Sequence, residues 1–297
     1  MTVTVGFVGL GNMGLPMACN LAAAGFKIRG FDVVASARDA LSKIEGAEAV
    51  HELRDVAVGA AVVITMLPDS PQVLAVLSGP DGLIAYSEPG TLLVDMSTIS
   101  PQVAKQVAAD AESHGLSMLD APVSGGVIGA EKGTLSIMVG GADADLVKAR
   151  PILEAMGGNI VHCGPTSMGQ TFKLCNQICC AGNILALSEA FALCRSQGGD
   201  LSKLRDAMSG GSAGSWMLNN VGPQMISGND KGGFTIDLQL KDLRLVLETA
   251  MASHVALPGT ALAAQLYQSE LAHGGSRNAN YALHRVIDRL ANQPVTG

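Results

Sequence analysis

Near the amino terminus the run GLGNMG places Gly9, Gly11 and Gly14 in a G-x-G-x-x-G spacing, with Asn12 and Met13 inside it. When such glycines follow a strand and open a helix, backbone N–H groups and the positive helix end turn towards a pyrophosphate. Asp32 stands eighteen residues beyond Gly14, at the end of the next β-like run. There a carboxylate can accept hydrogen bonds from the ribose of a dinucleotide. Its charge repels a 2′-phosphate and so points to NAD, while Arg38 keeps NADP open. Protein kinases use the same glycine spacing over ATP, but their strand lysine, catalytic-loop and magnesium motifs are missing here.

Three further clusters fall where apolar runs end. TMLP (Thr65 to Pro68) offers Met66, Leu67 and Pro68, and DMST (Asp95 to Thr98) offers Ser97 and Thr98. Both can line the nicotinamide side of a dinucleotide, and both also read as ordinary strand-to-helix turns. DAPVSGG (Asp120 to Gly126) brings the Ser124 hydroxyl next to the unobstructed N–H groups of Gly125 and Gly126, which is either a carboxylate nest or a plain turn. Further on, GQTFKLCNQ puts Gly169, Lys173 and Asn176 on one helix face. A lysine and an asparagine aligned on an otherwise apolar helix suggest a site; the competing reading lets Lys173 snorkel to solvent. Lys241 raises a similar question, because Asp237 lies one turn before it. Trp216, the single tryptophan, follows a glycine-rich stretch and reads equally as a pocket wall or a core anchor. The six histidines show no paired spacing for a metal, and the six cysteines form no CxxC pair, so no metal site is expected and the cysteines read as reduced and mostly buried.

Positioning such residues takes a particular scaffold. Up to about residue 164, short β-branched runs (VTVGFVG, KIRGFD, AAVVITMLP, GTLLVDMST, LSMLDAPV, GTLSIMVGG) alternate with Ala-rich helical segments. This predicts an α/β Rossmann-type doubly wound sheet of six or seven strands. From Ser167 to about Gln197 a helical pattern runs without a break, and only further amphipathic helices follow. The division predicted is a dinucleotide-binding domain over 1–164 and an all-helical substrate and oligomerisation domain over 165–297, built on a long interdomain helix.

Composition narrows the classes. The chain has 297 residues, a formal net charge of -7 and 3% aromatics, which excludes the basic face and stacking platform of a nucleic-acid binder. The most apolar stretch is interrupted by Asn176, Gln177, Asn183 and Glu189, so no membrane partner is expected. The amino terminus has no basic region and reads as a strand, which points to a cytoplasmic protein.

Together these motifs resemble the β-hydroxyacid dehydrogenase family, which includes 3-hydroxyisobutyrate dehydrogenase and tartronate semialdehyde reductase. GFVGLGNMGLPMACNLAAAG is similar to its cofactor motif, DAPVSGGVIGAEKGTL to its substrate motif, GQTFKLCNQ to its catalytic motif and KDL (Lys241 to Leu243) to a second cofactor-side motif. The likeness covers nearly the whole chain. It implies an NAD-dependent oxidoreductase, with NADP as the alternative, acting on a small carboxylate-bearing 3-hydroxy acid or its semialdehyde. It also implies a homodimer or homotetramer. Lys173 would exchange the substrate's hydroxyl proton, helped by Asn176; Ser124, Gly125 and Gly126 would hold the carboxylate; Lys241 would face the substrate, as would Trp216 if it is the pocket wall rather than the core anchor. A lysine with an ordinary pKa of about 10.4 is a poor base at neutral pH, so burial and a neighbouring cation, for which Lys241 is the candidate, would have to lower it. The likeness of GGFTIDLQLKDL favours tartronate semialdehyde as substrate, ahead of 3-hydroxyisobutyrate and of an NADP-dependent succinic semialdehyde or glyoxylate reductase. A non-catalytic dinucleotide sensor is the remote alternative.

Overall fold

The computed structural model describes residues 3–294. The chain divides into two compact units, Met1–Lys173 and Leu174–Gly297.

Among the described residues the first unit is built on nine strands: β1 (Thr4–Val8), β2 (Lys27–Phe31), β3 (Ala47–Ala49), β4 (Val62–Thr65), β5 (Leu92–Asp95), β6 (Ser117–Asp120), β7 (Val123–Ser124), β8 (Leu135–Gly140) and β9 (Gly157–Gly164). Their order is β3-β2-β1-β4-β5-β6-β8-β7, with β9 paired to β8. From β3 to β6 every pair is parallel, while β8 runs antiparallel to β6 and β7. The chain steps outward from β1 to β3 and then returns to β4 on the other side of β1. A sheet that reverses direction this way opens its ligand crevice at the carboxyl ends of the two central strands.

Seven helices belong to this unit: α1 (Gly14–Ala23), α2 (Ala35–Leu41), α3 (Ser70–Ser78), α4 (Leu83–Tyr86), α5 (Pro101–Ser113), α6 (Gly126–Lys132) and α7 (Asp143–Glu154). They cover both faces of the sheet, which is why the central strands are continuous apolar runs rather than alternating ones. Val62, Ile64, Leu92 and Val94 pack with Met17 and Leu21 of α1 and with Leu146 and Leu153 of α7. Val63 and Leu93 point the other way, onto Val73 and Leu77 of α3 and Ala104 and Val107 of α5. Two or three more strands are present than the six or seven expected. The short β3 (AEA) contains no β-branched residue, β7 has two residues, and β9 is a largely exposed edge interrupted by Gly, Asn and His, so each carries a weak sequence signal.

The next helix, α8 (Met168–Ser196), starts in the first unit and continues into the second. By length and composition alone it could cross a membrane, with a mean hydropathy of 1.5 over its most apolar stretch. Its Ala181, Ile184, Leu187 and Phe191 are buried in the second unit's core. The other helices of that unit are α9 (Leu201–Ser209), α10 (Trp216–Asn220), α11 (Gly222–Ser227), α12 (Ile236–Ala252), α13 (Pro258–Ala272) and α14 (His284–Leu290). They add Leu218, Met225, Ile236, Leu243, Tyr267 and Val286 to the same core. The expectation of mostly buried cysteines is corrected: all six are free thiols, Cys175 and Cys179 are exposed and the other four are half-buried.

A polar cluster is embedded in this helical unit. The buried His284 sits between Asp230 (Nε2 to Oδ1, 3.1 Å) and Asp288 (Nδ1 to Oδ2, 3.2 Å). Arg195 closes on Asp288 at 2.7 Å and Arg285 on Asp230 at 3.0 Å. Burial alone would lower the imidazole pKa, but the hydrogen bonds and charges of the two carboxylates outweigh it and raise the pKa above its usual value. A base whose pKa is raised by folding contributes stability that is fully present below its unfolded pKa, about 6.5, and lost as pH climbs through the folded value. Thermal melting should therefore weaken as pH rises from about 6 into the alkaline range. His284→Gln should flatten that slope and cost about 2 kcal/mol at pH 6; an unchanged slope would remove His284 as its cause.

Candidate functional site

The glycine run folds as its spacing requires. Gly9 leaves β1 with φ +95°, and its N–H donates to the Phe31 carbonyl at 3.0 Å. A Cβ on Gly9 would strike the Met66 carbonyl oxygen, and one on Gly14 would strike the Gly9 carbonyl oxygen. Those two glycines are demanded by the protein's own packing. Gly11 is different: it is exposed, has no positive φ, and a Cβ there would meet nothing within 4 Å. Neither backbone strain nor packing explains a glycine at that position, whereas close approach of a pyrophosphate to the backbone does. The loop therefore fits a dinucleotide, with Asn12 and Met13 completing the turn into α1.

Asp32 follows β2, and both of its carboxylate oxygens brace the loop. Oδ2 accepts from the Leu10 N–H at 2.7 Å and Oδ1 from the Val34 N–H at 2.8 Å. It is thus not a solvated strand-end acid, and each oxygen retains a second lone pair for a ribose hydroxyl. Arg38 donates to the Asp32 carbonyl at 2.5 Å and lies over the Phe31 ring, 5.9 Å from its centre.

Across the crevice a hydrogen-bonded chain links the other expected residues of this unit. The Leu67 N–H donates to Ser97 Oγ at 2.8 Å, which ties the Met66–Pro68 turn to the Ser97–Thr98 turn. Asp95, fully buried, accepts from Thr65 Oγ1 at 2.8 Å and from the Ser97 N–H at 3.2 Å. Its register partner on β6 is Asp120, which is also fully buried. Asp120 begins the DAPVSGG motif and reaches the start of α8, taking the Ser167 N–H at 2.7 Å and the Gln170 N–H at 2.8 Å. Burial pushes both carboxyls up to about 6, and the charge of Asp120 adds to the effect on Asp95. Asp120 so joins the motif carrying Ser124 to the first turn of α8, one turn before Lys173. Beyond β7, Gly125 (φ +137°) and Gly126 (φ +62°) take consecutive backbone conformations that side chains disfavour, and both are exposed. Lys173 is only 6% exposed, which excludes the reading in which it snorkels into solvent.

The remaining expected residues belong to the second unit. Asn176, half-buried, donates to Gln177 Oε1 at 2.8 Å and to Cys180 Sγ at 3.4 Å. Gln177 in turn donates to Asp242 Oδ2, and Lys241 pairs with Asp242 Oδ1 at 2.7 Å. Asp237, one turn before Lys241, is engaged by Thr235 Oγ1 and by the Leu238 N–H. Trp216 opens α10 and is 61% exposed, so its reading as a core anchor is corrected. Asp95, Asp120, Gln170, Gln177 and Asp242 also belong to these networks without being among the residues expected. Nothing in their spacing marks them; the available signal was a charged or amide residue inside an apolar run.

Residues 4–164 match the model of the NAD binding domain of 6-phosphogluconate dehydrogenase, and residues 167–287 match the NAD-binding domain of NADP-dependent 3-hydroxyisobutyrate dehydrogenase. Among curated relatives, an NAD-dependent L-serine dehydrogenase of Pseudomonas aeruginosa is 42% identical over 97% of this chain and 99% of its own. A 2-hydroxy-3-oxopropionate reductase of Escherichia coli is likewise 42% identical, over 98% of this chain and 99% of its own. The solved structure of Mycobacterium tuberculosis 3-hydroxyisobutyrate dehydrogenase with L-serine superposes with a TM-score of 0.89 at 37% identity, covering 97% of this chain and 99% of that one. With a Rossmann-type sheet, an all-helical second part and matches along nearly its whole length, this chain belongs to the β-hydroxyacid dehydrogenase family of NAD(P)-dependent oxidoreductases acting on CH–OH groups.

Proposed function

We propose that the protein transfers a hydride between a nicotinamide and the terminal carbon of a short acid of the form HO–CH2–CH(X)–COO⁻, with reduction of 2-hydroxy-3-oxopropionate (tartronate semialdehyde) as its main reaction. The observation that carries this reading is the Asp120 carboxylate, which fastens the motif containing Ser124–Gly126 to the first turn of α8, one turn before Lys173. The named substrates of the relatives share one skeleton: X is hydroxyl for the product of the Escherichia coli reductase, amino for serine, and methyl for 3-hydroxyisobutyrate. The P. aeruginosa relative and the serine-bound structure keep L-serine as the second reading.

In this proposal Ser124, Gly125 and Gly126 hold the carboxylate and so fix the distance to the reacting carbon. Lys173 takes the hydroxyl proton at Nζ in oxidation and returns it in reduction. Asn176 supplies orientation rather than charge. Gly9 to Gly14, Asp32, Met66 to Pro68, Ser97, Thr98 and Lys241 are assigned to the cofactor, and Lys241 and Trp216 to the substrate. A bound nicotinamide would supply the hydride chemistry, as acceptor in the NAD+ form and as donor in the NADH form. The two family matches, ending at 164 and beginning at 167, support a boundary there. A homodimer or homotetramer in the cytoplasm completes the proposal.

The test is nicotinamide absorbance with NAD and NADP across glycerate, L-serine, 3-hydroxyisobutyrate, tartronate semialdehyde, succinic semialdehyde and glyoxylate. Fastest turnover of tartronate semialdehyde is expected; tight NADH binding with silence across the panel would favour the non-catalytic sensor. NADH should be preferred over NADPH by at least about tenfold in kcat/KM, a difference of about 1.4 kcal/mol. Asp32→Ala should erode that preference by impairing NADH use. Because Asp32 also braces Leu10 and Val34, no gain with NADPH is expected. An unchanged cofactor ratio would remove Asp32 from the ribose site.

A further inference from the structure

Gln170 lies one turn before Lys173, is fully buried, and is used by none of the roles above. Its side-chain amide closes on the turn after β5 from both sides: Nε2 donates to the Ser97 carbonyl at 2.8 Å, and Oε1 accepts from the Ile99 N–H at 3.0 Å. Thr98 is thereby held between two main-chain bonds made by one side chain. The backbone N–H of the same residue is bound to Asp120 at 2.8 Å. Space for slack is absent, since a Cβ on the neighbouring Gly169 would strike the Asp120 and Met138 carbonyl oxygens. Ser97 passes the constraint on through its hydroxyl to the Leu67 N–H at 2.8 Å.

We propose that Gln170 is a positioning residue that makes the Met66–Pro68 and Ser97–Thr98 turns and the first turn of α8 one rigid body, so that cofactor-side occupancy and the placement of Lys173 are coupled. This rests on the assignment of those turns to the cofactor and of Lys173 to proton transfer. A hydrophobic residue would fill the space without reading the loop, because only a side chain with a donor and an acceptor on one carbon satisfies the Ser97 carbonyl and the Ile99 N–H together, and the amide of Asn would fall one carbon short of both. A buried pair of main-chain groups left without those partners shifts to find others, and sub-ångström to ångström displacement of a reacting group costs one to two orders of magnitude in rate.

The experiment compares the full-length protein with Gln170→Ala and Gln170→Glu, using Lys173→Ala and Val286→Ala, a core variant of the second unit, as controls. Two readouts are taken: hydrogen exchange with and without NADH, and kcat against KM as a function of pH. In the wild type, NADH should slow exchange both in a peptide over 9–20 and in one over 165–173. Gln170→Ala should keep the first protection and lose the second, with kcat lowered about tenfold to a hundredfold and substrate KM within about threefold. Gln170→Glu retains an acceptor for Ile99 but sets a charge against the Ser97 carbonyl; protonation restores a donor, so its kcat relative to wild type should recover as pH falls. Val286→Ala, although destabilised, should show neither effect. Protection of 165–173 that survives in Gln170→Ala, or a Gln170→Glu deficit independent of pH, would overturn the coupling. Should Gln170→Ala fail to fold, Gln170→Glu decides alone by its pH profile. A Lys173→Ala variant as active as wild type would instead remove the underlying assignment of Lys173, leaving the exchange result to judge the clamp.

Discussion

Lys173→Ala is expected to lower kcat by about a thousandfold while leaving NADH affinity, read by nicotinamide fluorescence, within about threefold of wild type. The size follows from what a positioned general acid–base contributes, which is about two to four orders of magnitude. The selectivity follows from location. Lys173 projects from the first turns of α8, held to the carboxyl end of β6 through Asp120, whereas the dinucleotide loop is held by Gly9, Gly14 and Asp32 at the carboxyl ends of β1 and β2. Removing the amine should leave that loop intact. The pH dependence gives a second check. Oxidation catalysed by an unprotonated lysine gains rate as pH rises towards its pKa, and the variant should lose that limb. Because Lys173 is 6% exposed, the alanine also opens space in the fold, so Lys173→Met, which keeps most of the volume, serves beside it. Equal loss in both variants assigns the effect to the amine; recovery of activity in Lys173→Met would assign it to packing and end the proton-transfer role.

How much of this was legible in the sequence depends on the range of the interaction concerned. Elements whose signals are local could be read directly: Ser100 caps α5, with its hydroxyl accepting the Gln102 N–H at 3.2 Å and Pro101 in the first turn, and the apolar runs became strands buried on both faces. The glycine loop could be read because its spacing is local: Gly9, Gly11 and Gly14 all fall in the short stretch between β1 and the first residue of α1. What could not be read is the set of long-range polar contacts that lock the motifs together. Asp120 to Gln170 spans 50 residues, Gln170 to Ser97 spans 73, and His284 to Asp230 spans 54. No period or cap announces such pairs. Trp216 shows the reverse limit, since an aromatic beside glycines has the same composition whether it ends in a core or on a surface, and here it is exposed.

Gly14→Ala and Gly11→Ala should part company, and the difference tests the cofactor site without any knowledge of the substrate. At Gly14 the added methyl lands on the Gly9 carbonyl oxygen, a backbone atom at the exit of β1 that cannot rotate away. The loop must open, at a cost of about 3 kcal/mol in stability, and dinucleotide binding should be lost with it. At Gly11 the methyl meets no protein atom within 4 Å and the backbone carries no positive φ. Stability there should hold or rise by about 0.4–1 kcal/mol, because alanine has less conformational freedom to lose on folding. Yet the open space beside Gly11 is where a pyrophosphate would approach the main chain, so NADH affinity should fall at least about tenfold, or about 1.4 kcal/mol. Thermal melting with and without NADH separates the outcomes in one series. Gly14→Ala should melt early in both conditions, and Gly11→Ala should melt like the wild type alone but lose the upward shift with NADH. A Gly11→Ala protein that keeps the full ligand-induced shift would mean that the dinucleotide does not rest on this loop, and the reading of Gly9 to Gly14 as its cradle would fall with it.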